Sequence, residues 1–515
     1  MNETHEAGHE IRLELPAWIL PSLPALIFAL ILAAAVFFAD ARTNVFMEGD
    51  TFADIRIGGD ILTNGHAPGL DTLSYTRASA FYVSHHWLYQ LISALAYRAF
   101  QLGGIVFLSA LLAALTGALM IKRARSRGSS LPATILALAP AFTILWCWYR
   151  GRAHLISWLG FALAFAVFDG PRWKQHRWAP VMFFAFTALW SNLHPGVLIF
   201  AAFAGLEAAG AVYLFCRDRR SPALKARARN AVLVLGAVAA GTLATPYGIK
   251  LHLQVLGFLR DSAALVGLEE YLPFDLGFYD EGVAFAAIIA CVLFWIGRSL
   301  YRQKETRFAV RDAFMIGAFT ALTFVARRNI PFFAIVSFPA VAAGLDQAAQ
   351  LVFAARSPRH PETPRQSVVS DCIWCGVLAM LVFGCARWVF VEWASPRAVR
   401  DELKYQPVEA TDFILGHEAE FHGRMFNAHS LGGYLLYAVP ATKVFVDPRV
   451  DFYGGEIITQ LHTICGGGPR GLAALDRWNV DWLILDYHCT PIVGELARAG
   501  WKLKHQDSIA KIYVR

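Results

Sequence analysis

The chain is poor in charge. Only 17% of its 515 residues are Asp, Glu, Lys or Arg, against roughly 25% in ordinary soluble domains. With 56% hydrophobic residues and a mean hydropathy of +0.44, so little charge excludes an ordinary soluble domain and implies a polytopic α-helical membrane protein. No phosphate-binding loop, dinucleotide fingerprint or zinc-protease motif occurs, so a nucleotide-driven pump or a soluble-cofactor oxidoreductase has no support. The opening MNETHEAGHEIRLELPAW has almost no basic residues and no small-residue cleavage pattern before the apolar run 17–39. That run reads as an uncleaved first span and not as a secretory signal. Cysteine adds little, because Cys147, Cys216, Cys291, Cys372, Cys375 and Cys385 lie in or beside apolar runs, where CIWC (372–375) is no zinc or redox motif. Only Cys465 and Cys489 lie in the polar tail, where they could pair in an oxidising compartment.

A spanning helix needs ~20 apolar residues. Eleven candidate runs fall near 17–39, 102–121, 131–149, 153–168, 178–192, 196–215, 230–246, 282–298, 312–326, 330–348 and 371–391. Basic residues crowd alternate loops, at 122–127, 172–177, 217–229, 298–311 and 356–365, and such loops face the cytoplasm. The N-terminus is then inside, whereas the segment from Asp40 to Tyr97 and the tail after Trp393 are outside. The net charge of +7 sits mainly in the inner loops and calls for no nucleic acid partner. The chain divides into a transmembrane module, 1–393, with outer loops 40–101 and 247–281, and an outer α/β domain, 394–515. In that tail, 442–447, 481–486 and 510–515 alternate as strands do, while 407–421 and 490–500 read as helices.

The first outer loop collects Glu48, Asp50, Asp54, Asp60, Asp71, His85 and His86. Ionisable groups beside spans are expensive unless they pair, face water or do chemistry, so the cluster marks a functional site. The second outer loop adds Glu269, Glu270, Asp275, Asp280 and Glu281. Acids on two outer loops could share a metal or a base role. Arg150, Arg152, Lys250, Arg260, Arg327 and Arg328 sit at the outer ends of spans, where the topology rule expects few cations. They either snorkel to headgroups or converge on an anionic lipid phosphate, whose oxygens match a guanidinium fork. Residues 49–62 read as a short amphipathic helix that starts at Asp50, and a lone Asp there would ordinarily cap free amides.

The order of these strings resembles the GT-C superfamily of integral-membrane glycosyltransferases, in particular bacterial members. GDTFADIRIGGDIL (49–62), DTLSYT (71–76) and SHHWLYQL (84–91) follow the first span. RAHLIS (152–157), NLHPG (192–196), TPYG (245–248), LEEYLP (268–273), RRNIPFFAI (327–335) and VFVDPRVDFYGGE (444–456) continue along the chain in family order. The resemblance implies transfer of a sugar from a polyprenyl-phosphate donor at the outer face of a bacterial inner membrane, with an acidic residue of the first outer loop acting on the acceptor or binding a metal. Asp50 matches that position. Asp54 stands where the family often has His, and His86 where it often has Glu. Asp50 and Asp54 could therefore ligate a divalent cation, Mg or Mn, or Asp50 could act alone as base.

Such a transfer needs a carboxylate to deprotonate the acceptor hydroxyl and cations to stabilise the departing phosphate. The candidates are Asp50 for the base, with Asp54 and Glu270 as further catalytic acids, and Arg152, Arg328 and Arg150 for the donor phosphate. Displacement without a covalent sugar intermediate would invert the anomeric carbon. His85, His86, His194, Asp71 and Glu269 are candidate substrate contacts, although His85 could merely anchor its loop beside Trp87 and His194 could be a structural turn residue. In the tail, Asp447, Arg449 and Asp451 could touch acceptor, but a buried Asp–Arg pair holding a turn fits better. A flippase or transporter of lipid-linked sugars would need the same cations but should show repeat symmetry. A non-catalytic membrane scaffold would leave the acids incidental.

Overall fold

The computed structural model describes residues 22–170, 173, 176–277, 279–302, 306–352, 368–392 and 400–515. The expected domain boundary at 393, the N-terminal segment and the CIWC side chains lie outside the described residues. Helices dominate: α1 (Leu23–Phe37), α2 (Ala39–Val45), α3 (Asp50–Asn64), α4 (Trp87–Ser126), α5 (Leu131–Cys147), α6 (His154–Asp169), α7 (Ala179–Leu193), α8 (Val197–Arg217), α9 (Pro222–Leu243), α10 (Ile249–Arg260), α11 (Ser262–Leu265), α12 (Tyr279–Arg302), α13 (Thr306–Val325), α14 (Ile330–Val352) and α15 (Val368–Glu392). The starts of α1, α5 and α9 share one device. Ser22, Ser130 and Ser221 accept from a backbone amide three residues on, with a proline in the first turn, so serine satisfies a free N–H and proline occupies a position that needs none.

Among the described residues, four helices are long and apolar enough to cross a membrane, or five if the pair α1 and α2, bent by 78°, is one span. Three more apolar helices, α5, α6 and α7, fall short of the length expected for them. At 15 to 17 residues and 1.5 Å per residue they cover ~22–26 Å, less than the ~30 Å hydrocarbon core. The polar turns at Arg150–Arg152 and at His194 cut these runs short.

At the basic-loop end of the helices, charges are paired. Arg123 and Arg127 both bind Asp169, at 2.7 and 2.6 Å, and Arg127 also binds Asp312 at 2.6 Å. The Ser130 amide donates to Asp346 at 2.6 Å. These contacts tie α4, α6, α13 and α14 together.

The first outer segment is more ordered than a loop. Helix α3 starts at Asp50 as expected, and α4 begins at Trp87, running to Ser126 with a break at Phe100 and Gln101. The tail forms a four-stranded mixed sheet of β1 (Arg424–Asn427), β2 (Val480–Leu485), β3 (Lys502–Gln506) and β4 (Lys511–Val514) in the order β1-β2-β4-β3. Strands β1 and β2 are parallel, with Met425 opposite Trp482, and the other pairs are antiparallel. The run 442–447 forms no strand of this sheet. Val444 instead makes a single parallel bridge with Ser74 of the first outer segment. Cys465 and Cys489 are disulfide-bonded.

Tail and first outer segment share one apolar core, in which Ala53, Ile57, Ile61, Leu73 and Tyr82 pack with Phe426, Val444, Tyr453, Trp482 and Ile484. Contact is closest where Gly49 meets Gly433 of the tail helix His429–Ala438: a Cβ on Gly433 would lie 2.1 Å from the Gly49 carbonyl oxygen. At the tail's start, Glu402 accepts from Arg42 at 2.8 Å and from Thr43 at 2.7 Å.

Candidate active site

Glycine at 151 sets the geometry of the site. A Cβ there would stand 2.9 Å from Val45 and 3.0 Å from the Thr51 hydroxyl. The Gly151 amide donates to the Val45 carbonyl, and its own carbonyl accepts from Thr51 and Tyr89, each at 3.1 Å. Only a bare backbone fits between α2 and α3, and this seat carries Arg150 and Arg152 to the first turn of α3.

Asp50 occupies that first turn. Gly49 precedes it in helical conformation with no side-chain cap. The Asp50 carboxylate meets Arg152 at 3.0 Å, so it is turned to a guanidinium. Arg152 also binds Glu48 at 2.6 Å and Glu270 at 3.4 Å. Glu270 bridges to Arg328 at 3.3 Å, and Arg328 donates to the Tyr271 hydroxyl and lies over its ring. Arg150 reaches Glu48 at 3.5 Å. Asp50, Glu270, Arg150, Arg152 and Arg328 are thus brought into one carboxylate–guanidinium chain, with Glu48 and Tyr271 as added members.

Burial pushes the Asp50 carboxyl up to about 7; Arg152 opposes the shift, while Glu48, Glu270 and Asp54 add to it. Glu270 behaves oppositely: burial would raise it, but Arg328 and Arg152 bring it below the usual carboxylate range. Arg152 is held well above its ordinary value, because Asp50, Glu270 and Glu48 outweigh its burial. Two neighbouring carboxyls with opposite shifts have the pattern of an acid–base site, one poised near neutrality and one kept ionised.

The remaining candidates form a second layer. Asp54 accepts from Gln90 at 3.1 Å and pairs with His86 at 2.7 Å. His85 lies against His86 with ring centroids 4.4 Å apart, and its Nδ1 pairs with Asp451 of the tail at 3.1 Å. Burial would raise the Asp451 carboxyl, but His85 brings it below its ordinary value. His194 is buried, its Nδ1 bonded to Ser157 at 2.6 Å and accepting from the Gly196 amide at 3.1 Å; burial and nearby Arg328 push it well below the usual imidazole range. Glu269 is exposed on the turn Glu269–Tyr271.

Asp71 stands apart from this group. One oxygen accepts from Arg449 at 2.7 Å and the other from the Ser74 hydroxyl at 2.7 Å, in a fully buried setting that also holds Asp447. It joins the first outer segment to the tail and has no oxygen left for substrate.

No group of three or more His, Cys, Asp or Glu among the described residues is arranged to hold a metal ion. The pair Asp50 and Asp54 does not fit a cation in this arrangement, because Asp54 is engaged by His86 and Gln90 and Asp50 already faces a positive charge. No step is assigned to a metal.

The fold has solved counterparts. The archaeal oligosaccharyltransferase AglB from Archaeoglobus fulgidus, in complex with an inhibitory peptide and a dolichol-phosphate, matches over 90% of this chain and 69% of its own, with a TM-score of 0.55 and 15% identity. The apo form of the A. fulgidus oligosaccharyltransferase matches over 95% and 74%, with a TM-score of 0.53 and 13% identity. The chain shares the fold of these oligosaccharyltransferases. ArnT from Cupriavidus metallidurans bound to undecaprenyl phosphate aligns over 95% of this chain and 97% of its own at a TM-score of 0.49 and 13% identity. No family model matches the sequence, and no curated protein matches it. Sequence pattern alone counted Glu48 in the acidic cluster without giving it a role, and missed Tyr271 and Gln90 as neighbours of the site. LEEYLP carried the signal for Tyr271, since it sits beside Glu270.

Proposed function

We propose that the chain is a membrane glycosyltransferase that moves a sugar from a polyprenyl-phosphate donor to an acceptor hydroxyl, with inversion. The observation that carries this reading is the chain Asp50–Arg152–Glu270–Arg328, in which a carboxyl poised at about 7 lies 3.0 Å from a guanidinium shared with a second, ionised acid. Asp50 takes the acceptor proton as the acceptor oxygen attacks the anomeric carbon. The bond from that carbon to the phosphate oxygen breaks, and Arg152 and Arg328 stabilise the departing phosphate. Glu270 holds the two guanidiniums together until the phosphate takes its place. His85, His86 and Glu269 would meet acceptor or sugar. The dolichol-phosphate in the AglB complex supports the class of donor. Eleven spans, with the basic loops cytoplasmic, would put this site and the tail on the periplasmic face of a bacterial inner membrane.

The decisive test is Asp50→Asn in purified, lipid-reconstituted protein, assayed with a panel of radiolabelled polyprenyl-phosphate sugars. Loss of a base should cost on the order of 10²–10⁴-fold in turnover. Near-normal turnover would sink the assignment, and donor-independent behaviour of both forms would favour a scaffold.

A further inference from the structure

Helix α10 has two apolar faces and only one of them is packed. Leu251 is buried against Val83 and Tyr247, Phe258 meets Tyr271 with ring centroids 5.3 Å apart, and Gln254 donates to the Asp451 carbonyl at 2.5 Å. On the far side, Ile249, Leu253, Leu256 and Leu259 are each at least half exposed. At 3.6 residues per turn these four share one stripe roughly 120° wide. A helix on a water-facing surface carries polar residues there; this one carries Ile249 and three leucines, with His252 bonded to Thr242 and Arg260 at the helix end.

The stripe does not end with the helix. Lys250 lies over the Phe81 ring at 4.3 Å, Phe81 packs on Tyr247, and Phe81 bridges to Leu70 in the first outer segment. Phe81 and Leu70 are exposed as well, as are Val266, Leu272 and Leu276 further along the second segment. Lys250 and Arg260 flank the stripe, both are exposed, and residues 249–260 contain no acid. The helix follows α9, and the short turn between them is fastened by a bond from Thr242 to His252 at 3.0 Å, so α10 begins where α9 ends.

We propose that α10, with the rim formed by Leu70 and Phe81, is a membrane-docking face that lies in the outer leaflet and contacts lipid through its leucines. The proposal rests on the reading of α9 and its neighbours as spans. An exposed apolar stripe on a helix that carries cations and no acid suits the boundary between acyl chains and anionic headgroups. A soluble partner would have to cover the stripe with an apolar surface of its own beside the bilayer. Because Gln254 is bonded to Asp451, which holds His85, the docked helix fixes the depth of the site at the level where a lipid-linked phosphate resides.

The test needs no transfer reaction. Nitroxide labels at single cysteines replacing Leu253 and Leu256, with the native cysteines outside the disulfide removed, are compared in nanodiscs containing anionic lipid. Labels replacing Leu206 in α8 and Lys502 in β3 report the bilayer and water. The expected result is greater accessibility to oxygen than to a water-soluble nickel chelate at 253 and 256, as at 206 and opposite to 502. Chelate-accessible labels at 253 and 256 overturn the docking face, and so do immobile labels reached by neither reagent, which would mean a protein partner or a second copy. A chelate-accessible Leu206 position overturns the spanning reading and this proposal with it. In the transfer assay, Leu253→Asp with Leu256→Asp should raise KM for a long-chain donor on the order of tenfold and leave a short, water-soluble donor unaffected. Equal effects on both donors overturn the lipid role.

Discussion

Arg152 and Arg449 each join the first outer segment to a distant part of the chain, yet they do opposite work. Arg449 binds Asp71 at 2.7 Å and Asp447 at 2.6 Å, and both carboxylates are fully buried. The remaining lone pairs are filled by Ser74, by the Arg449 amide and by the Tyr453 hydroxyl. Arg152 shares three carboxylates at 2.6, 3.0 and 3.4 Å, and these keep 38, 27 and 24% of their side chains exposed. The same chemistry is a lock where water is excluded and every partner is satisfied, and a half-open cluster where it is not.

Breaking the lock should cost most. Arg449→Met leaves two carboxylates buried without a cation, which is expected to destabilise the fold by about 3–5 kcal/mol. Thermal unfolding in detergent would register this as a large fall in Tm with poor recovery of folded protein. A Tm close to that of the unaltered chain would mean that the tail docks without this pair.

Arg152→Gln should leave Tm nearly unchanged and weaken donor binding by about 2–3 kcal/mol, the cost of a lost charged hydrogen bond. Arg152→Lys should restore part of it, because an ammonium lacks the bidentate fork. Arg328→Gln is expected to behave in the same way. Unchanged donor affinity in both Gln variants would reassign these arginines to headgroups.

Acid should separate the two clusters. Asp447 is held below its usual range by Arg449 against its burial, so its contribution is present above the unfolded pKa and is lost as pH falls through the folded one. Asp50 is raised to about 7, which reverses the sign. Its contribution is full below the unfolded value near 4 and is lost as pH rises through about 7. Turnover should climb over that same upper window as the base loses its proton, even while Asp50 takes stability away. Removing the charge at Arg152 should move the climb to higher pH; a turnover profile flat from pH 6 to 8 would count against Asp50 as the base.

The smallest effect belongs to Glu48→Gln. Its contacts to Arg152 and Arg150 are the most exposed of the set, so a change of less than about 1 kcal/mol in stability is expected. A larger fall would make Glu48 part of a lock and blur the distinction.

Legibility differed by region for physical reasons. The start of α3 at Asp50 was readable from its amphipathic pattern, and the arginines at 150, 152 and 328 were conspicuous because cations at that end break the topology rule. The strand at 480–485 showed itself in the alternating run 481–486. Thr442 to Asp447 has the same alternation, yet its one bridge goes to Ser74, a partner hundreds of residues away. The helices of the tail at 429–438 and 450–465 carry glycines at 432, 433, 454 and 455, which weaken any helical pattern because close packing, and not propensity, selects them.

The sequence by itself determined the apolar helical class, the placement of the acids and cations in two segments, and an order of strings that resembles a known superfamily. These depend on composition and local spacing. Which acid faces which arginine was decided only in three dimensions. Asp50 and Asp71 look alike in the sequence, but one sits at the lip of a half-open cluster and the other is sealed beneath the tail. Burial and long-range pairing made one an adjustable carboxyl and the other a structural tie.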